Sequence, residues 1–227
     1  MMKNLFQILC GLFLVVSYSS CMHSEEDKVD VLIIGGGASG VTSGIQSARM
    51  GANTLILEES TWLGGMLTSA GVSAVDGNYR LPAGLWGEFK NRLSDYYGGL
   101  DSLKTGWVSN VLFEPSVGNK ILHEMVAAEN NLKVWKQACL EEVKRTGDEW
   151  VAKVKVEGQG VKTVRAKVMI DATELGDVAK ICGVKYDIGM ESRDDTHEDI
   201  APEKKNNIVQ DITYVAILKD YGKDVTI

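Results

Sequence analysis

One short stretch limits this chain more than any other. The apolar, β-branched run Val29–Ile34 passes directly into Gly35-Gly36-Gly37-Ala38-Ser39-Gly40. A run of this kind suits a central parallel strand covered on both faces. The glycines fit the spacing GxGxxG. Gly35 permits a tight turn out of the strand, Gly37 leaves room for a phosphate to approach the backbone, and Gly40 lets the next helix pack closely. That helix is expected from Ala38 to about Met50, with small residues at Ser43, Gly44, Ser47 and Ala48 and Gly51 as its stop. Its amino-terminal amides, Ala38 and Ser39 among them, would face the phosphates. Thr54–Leu57 then reads as a second strand, and Glu58 stands at its end, about twenty residues past the glycines, where a carboxylate accepts hydrogen bonds from a ribose diol. Glycine-rich turns are common, so the spacing alone is weak. The ordered set of strand, glycines, helix, strand and acid points to a dinucleotide site. Glu58 disfavours a 2′-phosphate.

Further along, Gly64-Gly65-Met66-Leu67-Thr68-Ser69-Ala70-Gly71 offers a second glycine pair. Gly65 would let backbone amides face a cofactor, with Thr68 or Ser69 as hydroxyl donors. Pro82–Tyr97 has Leu85, Trp86, Phe89 and Leu93 at helical spacing and Gly98-Gly99 as a stop. A further helix is expected from Pro115 to about Asn130, with Val117, Ile121, Leu122 and Met125 inward and His123 exposed or capping. Leu132–Trp135 should add a strand. Glu141–Arg145, Trp150–Val156 and Val161–Ala166 predict a three-stranded antiparallel meander, its alternating Lys and Glu forming a solvated face. A separate apolar strand should follow and end at Asp171-Ala172-Thr173, leading to a helix from about Leu175 to Cys182 that Thr173 can cap.

With that last segment the order of motifs resembles the FAD-dependent oxidoreductase family with a glutathione-reductase-type flavin domain. The resemblance covers about Val29 to Gly189. It implies an α/β fold, namely a Rossmann-like FAD-binding domain with a parallel sheet plus the three-stranded antiparallel meander. It implies FAD as cofactor, favoured over NAD by the Gly64-Gly65-Met66 loop, and hydride transfer from an unidentified small-molecule or carbohydrate-type substrate to flavin. The cofactor-binding set is Gly35, Gly37, Ala38, Ser39, Gly40, Glu58, Glu59, Gly64, Gly65, Met66, Thr68, Ala138, Ala172 and Thr173. The arginines that some flavoproteins place around the second glycine pair are Trp62 and Met66 here, so phosphate charge would fall to amides and the helix dipole. Glu174 stands where many flavoproteins have glycine. No catalytic base can be named, because the three histidines, His23, His123 and His197, are scattered and no metal-ligand cluster is visible.

The first residues read as an export signal. Lys3 supplies positive charge, Leu5–Val16 is apolar but too short to span a bilayer, and Ser17, Ser19 and Ser20 precede Cys21. This resembles a bacterial lipoprotein signal, which would acylate Cys21 and leave an acidic tether over residues 22–28. Tyr18 departs from the leucine usual three residues before the cysteine. The expected location is the periplasm or cell envelope, with the membrane reached only through the lipid. A net charge of −7 argues against nucleic acid as a partner; a small-molecule substrate is expected, and oligomeric state is not legible. Cys139 and Cys182 read as two buried thiols rather than a disulfide or redox pair. Residues 29–189 are taken as the flavin domain. Residues 190–227 are taken as an exposed charged connection, with Arg193 and His197 in a solvated loop, then a strand over Ile208–Leu218 opening an incomplete substrate domain. The chain is therefore read as truncated or part of a longer protein. An NAD-dependent dehydrogenase and a non-catalytic nucleotide-binding remnant stay open as alternatives. The leader has no twin-arginine pair, so a chain exported unfolded would have to find FAD outside the cytoplasm.

Overall fold

In a computed structural model the described residues are 26–106, 109–211, 215 and 222–223. Cys21 and the leader lie outside them. Strand β1, Glu26–Ile34, enters helix α1, Ala38–Arg49, and β2, Thr54–Glu58, follows. A two-residue strand β3, Ala74–Val75, precedes α2, Gly84–Tyr97. Then come β4, Val111–Leu112, α3, Pro115–Ala127, and β5, Leu132–Lys136. The meander consists of β6, Ala138–Thr146, β7, Glu149–Val156, and β8, Gly160–Asp171. Two short helices close the described part: α4, Asp177–Ile181, and α5, Arg193–Thr196.

The sheet has six strands in the order β5-β2-β1-β8-β7-β6. β5, β2, β1 and β8 run parallel, whereas β8, β7 and β6 pair antiparallel. The fold is the expected α/β class with one change. The third meander strand and the apolar strand ending at Asp171 are a single strand, β8, so sheet and meander are one mixed sheet. Its first part pairs β7 from Gly160 to Ala166, while Thr163–Asp171 pairs β1 from Glu26 to Ile34. The tether is correspondingly shorter than expected, since Glu26 and Asp27 already belong to β1. Lys167 and Arg165 on β8 pair with Asp30 and Glu26 on β1 at 2.6 and 2.8 Å. Such exposed pairs contribute little to stability, because solvent screens them.

Alternation along β1 and β2 sorts the core into two clusters. Ile33 and Ile56 face Val41 and Ile45 of α1 together with Phe89, Leu93, Ile121, Leu122 and Met125 of α2 and α3. Leu32, Ile34, Leu55 and Leu57 face the other way and cluster with Ala152, Val154, Val164, Ala166 and Val178. Each buried Val, Leu, Ile, Met or Phe among them contributes about 1.5–3 kcal/mol relative to exposure. Both faces are covered, which explains why the first strand reads as a continuous apolar run. The close seat of α1 depends on Gly44, where a Cβ would lie 2.6 Å from Ile56 Cδ1. Arg49 at the end of α1 binds Glu88 and Glu129, tying α1 to α2 and to the turn after α3.

Several expectations are corrected. Cys139 and Cys182 are exposed, not buried. Cys139 takes the outward place next to buried Ala138 in the strand alternation, and Cys182 caps the surface helix α4. His123 is half-buried in mid-helix; burial first, then the charge of Lys136, hold its imidazole below the usual range. The charged stretch after Met190 is not a plain connection. It closes on itself, with the Asn206 amide donating to the Met190 carbonyl and the Arg193 amide to that of Pro202, around the capped turn α5. Ile208–Asp211 joins no strand, and most of the expected strand beyond it lies outside the described residues.

Candidate functional site

The carboxyl ends of β1, β2 and β8 meet at one cleft of about 400 Å³. Open α/β sheets bind ligands there because strand ends and helix starts leave backbone groups unpaired at the rim. Of the residues expected to bind cofactor, Gly35, Gly37, Glu58, Glu59, Gly65, Met66, Ala138, Ala172 and Thr173 line the cleft.

Gly35 leaves β1 with φ +102°, a conformation that favours glycine, and a side chain there would strike the Ala172 carbonyl at 2.3 Å. The Gly36 amide donates to Glu58 Oε2 at 2.8 Å, and the Ser60 amide donates to Oε1 at 2.7 Å. Glu58 is thus fixed at the end of β2 by two backbone donors. Each carboxylate oxygen has a second lone pair, so capacity remains for two hydroxyl donors. Gly37 begins α1 with no side-chain cap, which leaves the first-turn amides of α1 without an intrahelical partner.

The second glycine pair is held against the first. The Gly64 amide donates to the Gly36 carbonyl at 2.8 Å, and Gly64 bridges Gly37 in parallel. The preceding loop is set by Asn119 of α3, whose Oδ1 accepts from the Leu63 amide. A Cβ on Gly65 would lie 3.1 Å from Gly37 Cα, so the two backbones face each other across a narrow gap. The Gly37 and Gly65 backbones and the small Ala172 line the same cleft, with Glu58 at the end of β2 beside them.

Five expected residues do not line the cleft. Ala38 and Ser39 are exposed on the first turn of α1. Gly40 is buried against the turn, where a Cβ would stand 1.9 Å from the Gly35 carbonyl oxygen. Gly64 (φ +108°) packs under Leu122 and Thr68. Thr68 is corrected as a hydroxyl donor to cofactor: it is 2% exposed and its Oγ1 donates to the Leu63 carbonyl at 2.6 Å. Exposed Ser69, the other candidate, lines the cleft instead.

Asp171 organises the far wall. Burial acts to raise its carboxyl, but the Thr173 hydroxyl and the amides of Ala179, Thr173 and Val178 outweigh it and hold the group below the usual range. The helix α4 starts at Asp177 after Gly176 in the left-handed region, later than expected. The N-cap is Gly176 and not Thr173, and it has no side-chain cap; Thr173 Oγ1 accepts from the Asp177 amide at 2.8 Å from outside the helix.

Sequence reasoning missed Gly36 as the donor to Glu58, and Leu140, Leu175 and Asp177 as lining residues. The first had a signal, the middle glycine of three. The others depend on how the meander and the Thr173–Asp177 turn fold over the cleft. Ala138 reaches the cleft because Gln137 takes φ +53° at the corner between β5 and β6, with its amide bound to the Ser60 carbonyl.

The fold recurs among solved flavoproteins. A flavoprotein/dehydrogenase from Cytophaga hutchinsonii matches with TM-score 0.52 and 18% identity over 69% of this chain and 42% of that one. The anhydrotetracycline hydroxylase OxyS from Streptomyces rimosus matches with TM-score 0.52 and 15% identity over 72% and 36%. A geranylgeranyl bacteriochlorophyll reductase-like protein from Thermoplasma acidophilum gives 0.51 and 17% over 79% and 49%. The chain therefore spans about half or less of these structures' lengths, and at such identities the likeness is one of fold. No curated protein matches. Residues 30–226 match the family model described as FAD dependent oxidoreductase, and the chain belongs to that family, whose cofactor is FAD.

Proposed function

We propose that this chain forms the ADP-holding part of an exported flavin oxidoreductase. The Gly37 and Gly65 backbones and the first turn of α1 receive the pyrophosphate of FAD, and Glu58 accepts from the ribose hydroxyls of its ADP moiety. The observation that carries this reading is the convergence on one cleft of Gly37 at the start of α1, Glu58 at the end of β2 and Gly65 in the loop after it, each placed by backbone hydrogen bonding. When bound, the flavin ring supplies hydride acceptance and donation, and the protein's share is to hold and polarise it. Ala172 and the Asp171-centred turn form the wall along which the rest of the cofactor would lie. The reaction proposed is a two-electron oxidation of a small molecule, of carbohydrate type or otherwise, in a domain organised like that of glutathione reductase.

The apolar leader, the serines and Cys21 support export with acylation at Cys21, which would put the site at an envelope membrane without a spanning helix. Among the described residues no helix is long and apolar enough to cross a membrane.

The test is to titrate the purified chain, freed of residues 1–21, with FAD and with NAD⁺ while following flavin fluorescence and heat. One FAD per chain with no response to NAD⁺ is expected. Absence of FAD binding would reject the reading.

A further inference from the structure

The cleft that should receive a doubly charged pyrophosphate is lined by four carboxylates, Glu58, Glu59, Glu174 and Asp177, and by no Lys, Arg or His among the described residues. Glu58 is tied down by the Gly36 and Ser60 amides. Glu174 is different. Its Oε1 lies 2.9 Å from where a side chain on Gly37 would begin and 2.5 Å from the same point on Gly65. The carboxylate therefore lies over both glycines, where their side chains would begin. No described donor holds it there by a hydrogen bond or an ion pair, and the residue is exposed.

We propose that Glu174 is a specificity-determining residue of the dinucleotide site. Its carboxylate occupies the pyrophosphate position, and it swings out to solvent when the dinucleotide enters. The inference rests on the reading of the cleft given above. Two anions cannot share the gap, because at a few ångströms their repulsion is substantial and no cation offsets it. Entry of phosphate thus requires Glu174 to leave, which an unpartnered, exposed side chain does easily. The consequence is a site that binds its anionic ligand less tightly than its backbone geometry allows. It rejects small anions that bring no adenosine to compensate.

The test compares the wild-type chain with E174Q, E174A and the control E141Q, an exposed meander position outside the cleft. Affinities for ADP, FAD and adenosine are measured by calorimetry. In the ligand-free state, ¹⁵N spectra follow the Gly37 and Gly65 amides. E174Q and E174A are expected to tighten ADP and FAD by about five- to tenfold, to leave adenosine unchanged, and to shift both glycine amides; E141Q does none of these. Unchanged or weaker ADP binding in E174Q, or equal tightening of adenosine, overturns the proposal. If no variant binds FAD while ADP still responds to E174Q, the flavin reading fails and the role of Glu174 stands. If nothing binds ADP, both fall.

Discussion

Gly40 lies against Gly35 so closely that a methyl group on Gly40 would stand 1.9 Å from the Gly35 carbonyl oxygen. The turn out of β1 and the first turn of α1 are therefore one packed unit, and the two glycines fail together. Neither the oxygen nor the helix backbone can move without opening the β1–α1 seam. G40A should lower unfolding free energy by about 3 kcal/mol or more, read from the urea midpoint.

Gly37 makes the opposite prediction. Its φ of −64° suits any residue, and an added Cβ would meet only the far end of Glu174. G37A should change the unfolding free energy by no more than about 0.5 kcal/mol, read from the urea midpoint, yet weaken FAD binding at least about tenfold. Equal loss of stability and affinity would show that Gly37 serves the fold alone.

Glu58 holds the Gly36 and Ser60 amides and, in the function proposed above, the ribose of ADP, and substitution tests both. E58A leaves the partly buried Gly36 and Ser60 amides without their acceptor, which should lower stability by about 1–3 kcal/mol. E58Q keeps one acceptor oxygen and should lose less. Both should weaken ADP binding.

Asp171 gives a pH signature. Its folded-state value lies below the ordinary 3.8 because four donors favour the charged form over the opposing effect of burial. Its stabilisation is therefore fully present above pH 3.8 and is lost as pH falls through the lower folded value. D171N should be less stable than wild type by about 1–3 kcal/mol at pH 7. The gap should narrow in acid, as compared by urea melts at pH 7 and about pH 3.

Acylation at Cys21 is tested in cells. Radiolabelled palmitate should label the full-length protein and sediment it with membranes, whereas C21A should release it without label.

The β1–α1–β2 unit was legible because each step leaves a local mark: an apolar run, fixed glycine spacing, small residues on one helix face, an acid at the strand end. The meander strands were legible from their turns, Thr146-Gly147-Asp148 and Gly158-Gln159-Gly160. That Val161–Asp171 would be one strand was not, because a strand pairing antiparallel on one edge and parallel on the other carries no distinct periodicity. Thr68 was misjudged for a similar reason: a hydroxyl three residues past Gly65 satisfies its own loop or a ligand equally well on paper. Only the buried bond to Leu63 decides it. The exposure of Cys139 follows from strand register, which composition does not reveal. Glu174 was visible as a departure from glycine, but its place over Gly37 depends on the turn that Asp171 organises.

The central claim is that the cleft holds FAD by its ADP end. Competition with bound FAD tests it most directly, with ADP and FMN offered in parallel and displacement followed by flavin fluorescence. ADP should displace FAD while FMN, which lacks the adenosine, leaves it bound. Displacement by FMN with ADP ineffective would place the grip at the flavin end and contradict the account.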